Sequence, residues 1–162
     1  LSQPFRVLFV CTGNSARSQM AEALLTARGA GRFAVASAGT WPAGRVSRRA
    51  VGVLAELGID WNGRTPRGFD GREREPWDLV VTVCDAARQS CPAFPGGRAV
   101  AHWNLADPMD ATGTKEEVLE AFRHTRDTIA ALIERLIALP VEALPPHKLA
   151  RQVSALDPNS HP

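Results

Sequence analysis

Apolar residues in this chain follow two periodicities, and the two alternate along its length. Phe5 to Val10 is a continuous apolar run broken only by Arg6, which predicts a central strand of a parallel sheet, buried on both faces. From Ser15 to Ala27 the pattern changes. Ala16, Met20, Ala23, Leu24 and Ala27 recur at helical spacing, and Gly29 and Gly31 mark the helix end. Phe33 to Ser37 reads as a short second strand, followed by a turn at Ala38-Gly39-Thr40-Trp41-Pro42. A second helix is expected over Ser47 to Leu57, burying Ala50, Val53, Leu54 and Leu57, with Gly58 at its end. Residues 60 to 77, rich in Gly, Arg and Pro, read as an irregular crossing. Asp78 to Val83 and Arg98 to His102 give the third and fourth strands, the third running straight into a cysteine.

Thr114-Lys115-Glu116-Glu117 has the form of a capping box, with the Thr114 hydroxyl placed to accept the Glu117 N–H while the Glu117 carboxylate reaches back. The helix it opens should run to Leu139, with Val118, Phe122, Ile129, Leu132, Ile133 and Leu136 on its inner stripe, and Pro140 stops it. Pro145, Pro146, Pro158 and Pro162 then sit among small and polar residues. Residues 1–139 are therefore expected to form one domain, and 140–162 a Pro-rich extension laid over it or loosely attached. Strands alternating with helices predict a three-layer α/β sandwich around a four-stranded parallel sheet, with no internal repeat.

The 162 residues suit one domain with a sizeable core. Nineteen basic against 17 acidic residues leave the chain nearly neutral, which argues against nucleic acid as a partner. All the basic residues but Lys115 and Lys148 are arginine, a bias that genomic composition can explain. No apolar run is long enough to span a membrane and no signal segment is recognisable. Three cysteines, at 11, 84 and 91, are an odd number, which favours a reducing, cytoplasmic setting over a secreted disulfide framework. The four histidines show no spacing that converges with the thiols, so zinc is not expected. No cofactor is called for, and the chain is expected to act as a monomer.

The candidate chemistry lies where the first strand meets the first helix, in Cys11-Thr12-Gly13-Asn14-Ser15-Ala16-Arg17-Ser18. A strand ending in cysteine, a short polar loop and an arginine at a helix start make a nest of backbone N–H groups around a thiol. Such a nest holds a tetrahedral oxyanion such as phosphate and favours the thiolate. Cys11 would be the nucleophile, Gly13 would let backbone approach the anion, and Asn14 can adopt a left-handed conformation while its amide pins the loop. Ser15 and Ser18 offer hydroxyls, Ser18 to the Cys11 sulfur, and Arg17 would fork around two oxygens of the anion. The eight-residue phosphate loop of nucleotide-binding proteins, with its Lys-Ser or Lys-Thr end, is absent. Ligands of open parallel sheets sit beyond the carboxyl ends of the strands, where Cys84 and Asp107 also fall. Asp107-Pro108 could equally be a simple turn. His102 and Trp103 are expected to pack and to support the loop.

The run from Cys11 to Glu22 resembles the signature of the thioredoxin-coupled arsenate reductases, which share the fold of the low-molecular-weight protein tyrosine phosphatases. The likeness covers residues 5 to 139. Cys-x5-Arg alone indicates the wider phosphatase superfamily. Gln19, where the phosphatases usually carry proline, the pair Cys84 and Cys91, and the acid-loop match Asp107-Pro108 indicate the reductases. The resemblance implies that Cys11 attacks arsenic while Asp107 protonates the departing oxygen. Cys84 then attacks the adduct, arsenite leaves, and a Cys11–Cys84 disulfide remains. Cys91 next attacks Cys84, and thioredoxin reduces the resulting Cys84–Cys91 disulfide. Were residues 85 to 91 helical, Cys84 and Cys91 would stand about 10 Å apart along the axis. A disulfide tolerates a Cα separation of roughly 7 Å at most, so the segment would have to unwind on oxidation.

Several relatives hold potassium with an asparagine, a glutamate, a serine and an aspartate. Asn14, Glu22 and Ser37 match three of these, but Arg67 falls near the aspartate position and could supply the positive charge itself. No metal is therefore expected. Two other functions remain open at this point: a phosphotyrosine or phosphomonoester phosphatase using the same loop and acid, and a non-catalytic oxyanion-binding redox protein.

Overall fold

In a computed structural model, residues 3–84 and 96–159 are described. Four parallel strands form one sheet in the order β2-β1-β3-β4: β1 Phe5–Cys11, β2 Phe33–Gly39, β3 Leu79–Thr82 and β4 Val100–His102. The expected α/β sandwich is thus found. β1 pairs with both β2 and β3, Val7 standing opposite Val35 on one side and Leu79 on the other. That central position is why Val7 to Val10 are all apolar and fully buried. β2 is an edge strand, and its Ala34 is exposed.

The helices are α1 Arg17–Arg28, α2 Arg48–Ala55, α3 Lys115–Ala138 and α4 Pro146–Ala155. α1 lies against β1 and β2, and both α1 and α2 pack on α3. α3 carries the predicted stripe Phe122, Ile129, Leu132, Ile133 and Leu136 into the core, and both hydrogen bonds of its capping box form. Arg126 reaches from α3 to the Val53 carbonyl and the Glu56 carboxylate, which ties down the end of α2.

Several boundaries differ from expectation. β2 runs on through Ala38 and Gly39, which pair with Val10 and Cys11 where a turn was expected. α1 begins at Arg17 rather than Ser15, because Ser15 and Ala16 are drawn into the loop before it, and its stripe uses Leu25 in place of the exposed Ala27. α2 starts after Ser47, whose hydroxyl accepts the Ala50 N–H, and ends at Ala55; Leu57 falls in the turn beyond and is 39% exposed instead of buried. β3 closes at Thr82, so Val83 and Cys84 follow it as a short continuation. Val83 N–H still donates to the Val10 carbonyl, and the register that sets Val10 opposite Thr82 leaves Cys84 level with Thr12, one residue past Cys11. β4 is only three residues long. Beyond Pro140 the chain forms a 3-10 turn at Val141–Ala143 and then α4, which packs on β4 through buried Leu149 and Val153.

Candidate active site

Strand β1 ends in Cys11, and the loop to Arg17 curls over its end. The loop's direction is set from outside. The carbonyls of Cys11, Thr12, Gly13 and Ser15 accept the N–H groups of Thr40, Trp41, Ala43 and Ser47. In a planar trans peptide the N–H points opposite to its C=O, so carbonyls fastened to this strap turn the intervening N–H groups toward the other, concave side. Helix α1 begins there with Ala16 at its N-cap and no side-chain cap, which directs the positive end of the helix dipole at the same concavity. Sequence reasoning did not assign residues 40–47 to the support of the loop. The one local signal was Gly39, where an added Cβ would meet Thr12 O at 2.6 Å and Asn14 N at 3.0 Å. A Cβ at Gly13 would meet Ala43 Cβ at 3.7 Å and Ser15 Cβ at 3.9 Å, ordinary contacts, so at this loop the close backbone approach belongs to Gly39.

Cys11 is buried at the centre of the loop. Its sulfur accepts the Asn14 backbone N–H at 3.2 Å and lies 2.8 Å from Ser18 Oγ. Asn14 takes the left-handed conformation the sequence allowed, with φ of 51°, and its side chain is fully engaged. Its Oδ1 accepts the Gln19 side-chain amide at 3.0 Å and the Arg67 backbone N–H at 2.8 Å, while Nδ2 donates to Ser18 Oγ and Ser37 Oγ. Because a backbone N–H can only donate, Arg67 fixes which end of the amide faces it. Ser18, accepting a hydrogen bond from Asn14 Nδ2, is free to donate its own O–H to a thiolate at Cys11. Ser15 Oγ donates to the Arg45 carbonyl and so serves the strap rather than the sulfur.

Gln19 in turn accepts the indole N–H of buried Trp61 at 2.8 Å, and the Arg64 guanidinium stacks 3.9 Å from the Trp61 ring centre. Neither Trp61 nor Arg64 was singled out in the sequence; a tryptophan inside the irregular 60–77 stretch was the available signal.

Behind the loop, Ser37 Oγ donates to Glu22 Oε1 at 2.6 Å inside a cavity of about 240 Å³. Burial pushes the Glu22 carboxyl above its ordinary range, against the opposing pull of the Ser37 hydroxyl and of Arg64, Arg72 and Arg67. The cation facing Glu22 directly is Arg64, 3.7 Å away, rather than Arg67, whose backbone is what holds Asn14. These groups do not fit potassium. The Asn14 oxygen already serves two N–H donors, the Ser37 hydroxyl donates its hydrogen bond to Glu22, and three guanidinium groups act on one carboxylate. Among the described residues no group of three or more His, Cys, Asp or Glu side chains could hold a metal ion.

At the rim, Arg17 Nη1 donates to the Leu105 carbonyl at 3.0 Å and Nη2 meets Asp107 Oδ2 at 3.1 Å. Asp107 Oδ1 caps the following 3-10 turn by accepting the Met109 N–H, so the residue is both turn former and ion-pair partner. Cys84 is buried with its sulfur 3.5 Å from Thr12 Oγ1, beside the loop. Cys11, Arg17, Asp107 and Cys84 are thus brought to one rim by three separate strand ends. Cys91 lies outside the described residues, as does the geometry of the segment from 85 to 91. His102 Nδ1 pairs with Thr82 Oγ1 at 2.8 Å and Trp103 is fully buried, in keeping with packing roles. No helix among the described residues is long and apolar enough to cross a membrane.

Residues 6–154 match the family model of low molecular weight phosphotyrosine protein phosphatases. The chain is 41% identical over 128 residues to an arsenate reductase of Halalkalibacterium halodurans, covering 79% of this chain and 91% of that protein. It is 34% identical over 133 residues to a glutaredoxin arsenate reductase of Synechocystis, covering 82% and 96%. A solved arsenate reductase in its phosphate-binding state superposes with a TM-score of 0.70 at 34% identity, over 82% of this chain and 96% of the other.

Proposed function

The chain belongs to the low molecular weight phosphotyrosine protein phosphatase family, among its arsenate reductases, and from that membership we propose how its thiol loop reduces arsenate to arsenite. The observation that carries the mechanism is the Cys84 sulfur standing beside Thr12, next to the nucleophile's loop. Hydrolysis of a phosphate ester needs Cys11, Arg17 and Asp107; only a relay of electrons needs a second sulfur at that rim.

Arsenate enters the concavity, held by loop N–H groups and the Arg17 guanidinium. The Cys11 thiolate attacks arsenic, and Asp107 protonates the departing oxygen so that it leaves as water. Cys84 then attacks the Cys11 sulfur of the adduct. The S–As bonding pair stays on arsenic, which falls from As(V) to As(III) and departs as arsenite, and a Cys11–Cys84 disulfide forms. Cys91 displaces Cys11 by thiol–disulfide exchange, and a dithiol reductant of the thioredoxin type reduces the Cys84–Cys91 disulfide. The thiol chemistry suits a reducing cytoplasm and one chain acting alone.

The test is steady-state arsenite formation with thioredoxin, thioredoxin reductase and NADPH, beside hydrolysis of p-nitrophenyl phosphate. Arsenate-dependent NADPH oxidation that outpaces ester hydrolysis is expected. Ester hydrolysis without arsenate turnover would instead make the protein a phosphatase, and neither activity would leave an oxyanion binder.

A further inference from the structure

The segment that carries Asp107 is gripped from two sides. On one side Arg17 holds the Leu105 carbonyl and the Asp107 carboxylate. On the other side stand α4 and the residues just after it. Ser154 Oγ accepts the His102 N–H at 3.1 Å, the Val153 carbonyl accepts the Trp103 indole N–H at 2.8 Å, and Asp157 Oδ2 accepts the Asn104 backbone N–H at 2.7 Å. Trp103 packs on Phe9 of β1 at a ring separation of 5.9 Å, which seats the segment on the sheet beside the Cys11 strand.

Asp157 is the unusual member of this group. It is 3% exposed, and its second oxygen accepts the Asn159 N–H at 3.0 Å. Burying a carboxylate is costly unless it is hydrogen-bonded, and a charge-assisted bond to a backbone N–H is stronger than a neutral one. A turn at 157–159 requires only the Asn159 contact. The shorter bond reaches instead to Asn104, three residues before the acid.

We propose that Asp157 is a positioning residue for the reaction: it fixes the backbone at Asn104 so that Leu105 and Asp107 meet Arg17 and the proton is delivered at the right distance. This rests on Asp107 acting as the general acid. A displacement of about 1 Å can cost on the order of 10²-fold in rate, and a loop held at 102, 103 and 104 by α4 and the residues after it has little room to shift. Through these contacts the C-terminal segment becomes part of the catalytic frame.

The experiment compares Asp157→Ala and Asp157→Asn with the parent and with Asp107→Asn, measuring the single-turnover rate of the Cys11–arsenic adduct. Rates are normalised to the phosphate-binding sites counted by titration calorimetry so that unfolded protein does not count. Asp157→Ala should slow adduct formation by roughly 10-fold or more while phosphate binds within about twofold of the parent. Asp157→Asn retains a carbonyl oxygen for the Asn104 N–H and should recover most of the rate. In the Asp107→Asn background, Asp157→Ala should cost little further, as a double-mutant cycle requires when one residue acts through the other. A parental rate for Asp157→Ala, or equal slowing in both backgrounds, overturns the positioning role while leaving Asp107 as the acid. A parental rate for Asp107→Asn itself overturns the acid assignment, and the positioning role with it.

Discussion

Arg17 Nη2 lies 3.1 Å from Asp107 Oδ2, and the same guanidinium is fixed through Nη1 to the Leu105 carbonyl. Two anchors on one planar group set its plane as well as its position. Asp107 is likewise doubly held, one oxygen on Arg17 and the other on the Met109 N–H. The cation that would receive the oxyanion and the carboxyl that would protonate its leaving oxygen are therefore positioned against each other, and changing one will be felt by the other.

Asp107→Asn should slow Cys11–arsenic adduct formation by roughly 10²–10⁴-fold. Phosphate should bind at least as tightly as to the parent, since the variant removes a negative charge that competes for Arg17. Rapid-quench kinetics and titration calorimetry with phosphate read the two effects separately. An unchanged adduct rate would reduce Asp107 to a turn former.

The two later thiols should fail at different stages. With Cys84→Ser the adduct forms but arsenite is not released by the relay. With Cys91→Ser one equivalent of arsenite appears and the protein stalls as a Cys11–Cys84 disulfide, visible by mass spectrometry after alkylation. Multiple turnover of Cys91→Ser with thioredoxin at the parental rate would make Cys91 a bystander.

Gly39→Ala forces a Cβ against Thr12 O and Asn14 N, both backbone atoms of the anion loop. Overpacking of this kind costs about 1–3 kcal/mol, and here the strain falls on the loop itself, so oxyanion affinity should drop along with the thermal midpoint. Gly13→Ala, whose Cβ would meet nothing nearer than Ala43 Cβ at 3.7 Å, should leave the midpoint almost unchanged. Thermal melts of the two variants with and without phosphate make the comparison; similar loss of stability in both would mean that the strap does not press on the loop at Gly39.

Glu22 gives a pH signature with a definite sign. Burial raises its carboxyl above the ordinary value of 4.5, so the folded protein holds its proton to higher pH than the unfolded chain does. Its contribution to stability is present in full below 4.5 and is lost as pH rises through the folded value. Glu22→Gln removes that dependence while keeping an acceptor for Ser37. Relative to the parent, the variant should gain stability between pH 4.5 and the folded value and hold a constant difference above it. Parallel curves in urea unfolding across this range would contradict the burial argument.

Potassium should have no specific effect. With Arg64, Arg67 and Arg72 acting on Glu22 and the Asn14 oxygen already saturated, thermal midpoint and turnover are expected to match in potassium and sodium salts at equal ionic strength. A potassium-specific rise in both would show that these guanidinium groups can move aside for the ion.

What the sequence determined by itself is what neighbouring residues decide among themselves. The central strand at Phe5–Cys11, the loop that must bend at Asn14, the helix that starts near Arg17, and the Thr114–Glu117 capping box are contiguous patterns. Their spacing encodes periodicity, backbone freedom and cap chemistry within a few residues. Leu57 shows where periodicity fails, since it cannot tell the last turn of a helix from the turn after it, and Ala27, inside α1 yet exposed, shows that a small apolar residue does not by itself mark the buried stripe.

The tertiary structure alone decided which distant groups complete the site: the 40–47 strap on the loop carbonyls, Trp61 on Gln19, Arg64 rather than Arg67 on Glu22, and Asp157 on Asn104. Each joins segments that no local rule relates. The partner of a buried polar group is set by how elements are registered against one another when the core packs, and hydrophobic patterning specifies which face is buried without specifying what it meets.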